Sequence, residues 1–135
     1  MSESDNTLHK QRFTLSKEER LCSEKEIETL FSSGERFLSF PLQVVYARTE
    51  KKGVEASVLF SVSKKRFKRA VHRNRIKRLM RECFRLNKQP LYELLESREV
   101  GLKIAVVFID KELPAFELVE KGMVKAIEKL IRQLQ

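Results

Sequence analysis

The chain of 135 residues, 41% hydrophobic and 35% charged with four Gly and three Pro, has room for one domain with a single core. That composition excludes collagen-like, linker-like and low-complexity chains. The net charge of +9 points to an acidic partner, and the longest apolar run, Ile104 to Ile109, is far below the roughly 20 residues of a bilayer span.

The start, MSESDNTLHK, has no basic stretch leading into an apolar one, so no secretory signal is expected and the chain reads as cytoplasmic, without a membrane partner. The polar first twenty or so residues read as a mobile leader. Ser23 followed by Glu26 has capping-box spacing, and Ile27, Leu30 and Phe31 form a short apolar stripe. Together they predict a helix over Glu24 to Ser33 that stops at Gly34. Leu42 to Arg48 and Ala56 to Val62 are rich in β-branched and aromatic residues, and Thr49 to Glu55 between them contains Gly53, which predicts an antiparallel hairpin. Alternation places Phe40, Leu42, Val44 and Tyr46 on one side of the first strand, with Phe37 just ahead of it. A sheet face of this kind, if uncovered, suits stacking of single-stranded RNA.

A helix over Ala70 to Asn87 follows, with Ile76, Leu79, Met80, Cys83 and Phe84 at core-facing spacing. Pro90 opens a shorter helix, Leu91 to Glu96. After Gly101, Lys103 to Ile109 is the most apolar strand and is expected at the centre of the sheet. Pro114 precedes a closing amphipathic helix with Phe116, Val119, Met123, Ile127, Leu130, Ile131 and Leu134 on one side. The order predicts an α+β sandwich, one sheet with helices packed against it.

The positive charge is concentrated. Ten of the 28 Lys and Arg lie between Lys64 and Arg81, and none of the 19 acids does, so the rest of the chain carries 18 bases against 19 acids. On the helix, residues 73, 77, 81 and 85 recur at i+4 steps and predict a cationic ridge about 18 Å long at 1.5 Å per residue. Surface helix faces usually mix signs, because like charges at that spacing repel. An acid-free run of three turns therefore favours a polyanion partner over an ordinary solvated face.

Catalytic signatures are missing. There is no Gly-rich phosphate loop, HExxH, GxSxG or EF-hand loop. His9 lies in the leader and His72 in the basic run, Asp110 and Glu112 read as surface acids, and Cys22 and Cys83 as reduced thiols with Cys83 in the core. No catalytic residue, protein-held metal or small-molecule substrate is expected.

Ser61-Val-Ser-Lys-Lys65, then Arg73-Asn74-Arg75-Ile76-Lys77-Arg78, Arg81-Glu82 and Phe84-Arg85-Leu86, resembles the signature of the protein subunit of bacterial ribonuclease P. The similarity spans residues 13–135 as one domain and leaves residues 1–12 as a flexible leader. The resemblance implies an α-β-β-β-α-β-α sandwich, a mixed sheet with a left-handed βαβ crossover, similar to a domain of a ribosomal small-subunit protein. It also implies the function: the protein binds a catalytic RNA, and together they remove the 5′ leader of precursor tRNA, with Mg²⁺ held mainly by the RNA. Carried over residue by residue, Lys64, Lys65, Arg66, Lys68, Arg69, Arg73, Asn74, Arg75, Lys77, Arg78 and Arg81 would face ribonuclease P RNA. Ile27, Phe31, Phe40, Tyr46, Ser61, Ser63 and Lys65 would hold the precursor tRNA leader in a cleft between the first helix and the sheet.

Two departures from the family pattern stand out. Ile27 replaces a Phe common in relatives and packs without stacking, and Arg66-Phe67-Lys68-Arg69 lacks the glycine often seen in that turn. The alternative is a ribosomal or other structural RNA-binding protein with the same cationic helix and no part in cleavage.

Overall fold

The structure is a computed structural model that describes residues 16–50 and 55–135. The leader over residues 1–12 and the turn at Gly53 lie outside the described residues. A 3₁₀ turn over Lys17–Glu19 leads to helix α1 over Glu24–Ser33, then strands β1 (Glu35–Ser39), β2 (Leu42–Glu50) and β3 (Ala56–Val62). Helices α2 (Ala70–Asn87) and α3 (Gln89–Arg98), strand β4 (Val100–Phe108) and helix α4 (Phe116–Leu134) follow.

Local signals place the helix ends. The Ser23 hydroxyl accepts from the Glu26 amide at 3.3 Å, and the Gly34 amide closes α1 onto the Leu30 carbonyl. α2 has the predicted bounds, whereas α3 is longer than its predicted core, starting one residue before Pro90 and ending where Glu99 turns left-handed at φ 55°.

The sheet order is β1-β2-β4-β3, with β1/β2 and β2/β4 antiparallel and β3/β4 parallel. The predicted hairpin of β2 with β3 is therefore corrected, because β4 lies between them. β4 is nearly continuously apolar, Leu102, Ile104, Ala105, Val106 and Phe108 being buried. A strand buried on both faces needs a hydrogen-bonded neighbour on each side, and pairing partners this distant leave no trace in a local turn. The β3-to-β4 connection runs through α2 and α3, as a parallel pair requires.

One face of the sheet carries the main core. Leu42, Val44 and Tyr46, Val58 and Phe60, and Ile104, Val106 and Phe108 pack against Ile76, Met80, Cys83 and Phe84 of α2, Leu91 and Leu95 of α3, and Met123, Ile127 and Leu130 of α4. Each such fully buried side chain contributes about 1.5–3 kcal/mol. Gly122 lets α4 approach the β1–β2 turn: a Cβ there would lie 2.9 Å from the Phe40 carbonyl oxygen, and the Ser39 hydroxyl donates to the Gly122 carbonyl at 2.8 Å.

α1 lies on the opposite face, where Leu21 and Leu30 bury Val45 and Ala105, with Ile27, Phe31, Ala47 and Leu59 around them. Helices thus occupy both faces. The side of β2 that holds Leu42, Val44 and Tyr46 faces the main core, so it is not an uncovered face on which RNA could stack.

Candidate nucleic-acid interface

The loop from β3 to α2 is held at both ends and lifts its cations outward. The Phe67 amide donates to the Ser63 carbonyl at 3.1 Å, and the Lys65 amide to the Ser63 hydroxyl at 3.2 Å. Phe67 is buried, its ring 5.9 Å from that of Phe108. No residue between 63 and 69 has a positive φ, so the turn does not need a glycine. Lys64, Lys65, Arg66, Lys68 and Arg69 are all exposed.

Arg73 departs from the predicted ridge. Its guanidinium donates to the Phe67 and Lys68 carbonyls at 2.7 and 2.8 Å, bracketing the loop. The reason is helical: each i+4 step advances about 40° around the axis, so a row that begins beside the core ends far from it. Arg73 and Lys77 are half-buried, and Arg85 pairs with Glu82. The exposed cationic surface is instead built from Arg75, Arg78 and Arg81, with the neutral amide of Asn74 exposed beside them. The first turn of α2 has no capping side chain and no acid, so the positive end of the helix dipole adds to these charges.

The predicted leader residues do not form one group. Tyr46 is buried in the main core, 6.0 Å ring to ring from Phe37, and its hydroxyl pKa is raised by burial and by Glu35. It cannot reach a ligand on the α1 side. Phe40 sits in the β1–β2 turn and is 61% exposed. Ile27 and Phe31 pack from α1 onto the other face, which Ser61 shares through its alternation with Leu59. Ser63 and Lys65 continue from that end of β3 into the basic loop.

Register shows what the pattern missed. Leu38 pairs with Gln43, Gln43 with Val107, and Val107 with Ser61, one row across all four strands on the α1 side. Leu38 is 59% exposed, and Gln43, Val107 and Ser61 are half-buried. The next row, Arg36, Val45, Ala105 and Leu59, lies under α1. Beyond it Lys103 pairs with Glu26 at 3.3 Å, tying α1 to β4 at the far end of this face. The open row adjoins the basic loop. Leu38 could have been found from sequence only by recognising β1, a five-residue edge strand with polar residues at both ends.

Among the described residues, no group of three or more His, Cys, Asp or Glu is placed to hold a metal ion, and no helix is long and apolar enough to cross a membrane.

A small basic α+β domain with a cation-lined helix beside a partly open sheet face is the class these features define. The ribonuclease P family model matches residues 15–134, so the chain belongs to the ribonuclease P protein family. The holoenzyme of that family is the endoribonuclease that matures tRNA 5′ ends. The ribonuclease P protein component of Porphyromonas gingivalis is 46% identical over 119 residues, which cover 87% of each chain. That of Chlorobium phaeobacteroides is 37% identical over 128 residues, covering 87% of this chain and 88% of its own. Among solved structures, the RNase P protein of Staphylococcus aureus superposes with a TM-score of 0.55 at 22% identity, covering 89% of this chain and 92% of its own. The Thermotoga maritima RNase P protein gives 0.54 at 24%, covering 86% and 94%. These two show the shared fold.

Proposed function

We propose that this chain works in cytoplasmic tRNA 5′ maturation by presenting two surfaces to RNA: the exposed face of α2 with the basic loop to ribonuclease P RNA, and the open sheet row to the precursor tRNA leader. The observation that carries the reading is the position of Arg75, Arg78 and Arg81, exposed on the side of α2 away from its buried Ile76, Met80, Cys83 and Phe84. Charges so placed neutralise phosphates without unpacking the core. The leader reading rests on the row Leu38, Gln43, Val107 and Ser61, flanked by Phe31, which offers apolar contact with two polar side chains and suits leaders of varied sequence.

The Mg²⁺ ions of the cleavage chemistry are assigned mainly to the RNA partner, where they would activate the attacking water and stabilise the leaving oxygen. The protein's share is affinity for substrate and screening of RNA against RNA repulsion. The family match favours this reading over a structural RNA-binding role apart from cleavage.

Binding of a bacterial ribonuclease P RNA at a series of salt concentrations tests it. Arg75→Ala and Arg78→Ala should each weaken binding and reduce the log–log salt slope by about one unit per lost phosphate contact. Unchanged slopes in both variants would remove α2 from the RNA interface.

A further inference from the structure

Val71 is the most exposed of the large apolar side chains in the described residues, at 68%. It stands in the first turn of α2. At about 100° per residue it lies almost opposite the buried set Ile76, Met80, Cys83 and Phe84, on the outermost line of the helix. Arg75 and Arg78 follow it at i+4 and i+7 on that line, with Asn74 beside them, all exposed. Burial does not account for the residue. A β-branched side chain is a poorer helix former than the Ala70 before it, and an exposed one gains no burial in return. The loop anchored by Phe67 and Arg73 keeps this first turn presented to solvent.

An exposed apolar side chain with an amide and an arginine one turn on and a second arginine two turns on has the chemistry to receive an unstacked nucleobase. The arginines hold the flanking phosphates, the amide of Asn74 can meet polar base edges, and the methyl groups of Val71 cover the apolar base face. We propose that Val71 seats an unpaired nucleobase of ribonuclease P RNA, adding to the arginine contacts a component of binding that salt does not screen. The inference rests on the assignment of α2 to the RNA interface and states what that surface recognises besides charge. The uniformly positive charge through Arg81 calls for a polyanion, and the exposed apolar side chain among those charges matches an unpaired base rather than a phosphate.

The test separates charge from apolar contact. Val71→Ser and Val71→Ile are compared with the unaltered protein for binding to a bacterial ribonuclease P RNA at several salt concentrations, and for binding to heparin, a polyanion without bases. Val71→Ser should lower RNA affinity about fivefold at every salt concentration, giving a parallel line, and leave heparin affinity unchanged. Val71→Ile should keep the RNA affinity. Because residue 71 is exposed, both variants should unfold at the temperature of the unaltered protein. The proposal is overturned if Val71→Ser binds RNA like the unaltered protein, if its salt slope changes, or if heparin affinity falls equally. If the unaltered protein shows no salt-dependent RNA binding, the assignment of α2 itself fails, a result visible before any variant is compared.

Discussion

Lys88 and Glu19 stand 69 positions apart in the chain and meet at 2.7 Å in the interior, where Lys88 is 1% exposed. Lys88 is the residue between α2 and α3, and Glu19 ends the 3₁₀ turn, so the pair fastens the N-terminal segment to the elbow that orients the cationic helix. The Tyr92 hydroxyl donates to the same Glu19 oxygen, the Lys88 ammonium lies 4.8 Å from the centre of the Tyr92 ring, and the Ser16 amide donates to the other Glu19 oxygen at 2.8 Å. Alongside, the Leu21 amide donates to the Val58 carbonyl at 2.9 Å, covering part of the free edge of β3.

Breaking such a pair costs far more than its net contribution, because one charge stays buried against the wrong neighbour. Glu19→Gln is expected to destabilise the protein by about 3 kcal/mol, and Lys88→Met with Glu19→Leu together by clearly less. Urea unfolding of the single and double variants measures both. Equal losses in the two would contradict the account.

The pair also sets an acid limit. Burial raises the Glu19 carboxyl, but hydrogen bonds from Lys88, Tyr92 and Ser16 and the Lys88 charge outweigh it and hold the pKa below the ordinary 4.5. A depressed folded-state pKa means that this stabilisation is full above the unfolded-state value and is lost as pH falls through the folded one. Stability measured from pH 6 downward should therefore fall below about pH 4.5 in the unaltered protein, and less steeply in Glu19→Gln. Parallel curves would remove Glu19 from the acid response.

The two cysteines should behave differently. Cys83 is fully buried, and burial, with Glu120 and Glu82 nearby, pushes its thiol up to about 12, whereas Cys22 is exposed. The thiolate is the reactive form. A maleimide at pH 7.5 should label Cys22 in the folded protein and reach Cys83 only on unfolding. Labelling of Cys83 in the native state would indicate local opening of α2.

On the sheet, Gln43→Ala and Phe31→Ala should reduce the preference for precursor over mature tRNA several-fold in the assembled holoenzyme, at about 1 kcal/mol for each lost contact. Tyr46→Phe should leave the preference unchanged, since Tyr46 faces the main core. Competition binding with the two tRNAs reads the ratio. A preference that depended on the Tyr46 hydroxyl would place the leader elsewhere.

Which of these features the sequence showed follows from the range of each signal. Caps and apolar stripes are local, so the ends of α1 and α2 were readable from Ser23, Gly34 and the Ile76 to Phe84 spacing. The run of apolar residues in β4 carried its central place. Strand pairing is not local: β4 separates β2 from β3 although Gly53 suggested that they turn directly into each other. Alternation gives the period of β2 but not which helix each side meets, so Tyr46 lies in the main core while Gln43 faces the α1 side. The local pattern does not mark β1, because its five residues are polar at both ends, so only the family resemblance implies a third strand before α2 and Leu38 goes unnoticed. On α2 the pattern identified the charges, while the drift of an i+4 row and the carbonyls of Phe67 and Lys68 gave Arg73 a bracing role.

The most direct test is cleavage of 5′-labelled precursor tRNA at low magnesium by the chain alone, by a bacterial ribonuclease P RNA alone, and by the two together. The account predicts that the mixture cleaves at the mature 5′ end far faster than RNA alone, and that the chain alone does not cleave. Cleavage by the chain alone, or a mixture no faster than an RNA known to accept the Porphyromonas gingivalis protein component, would contradict it.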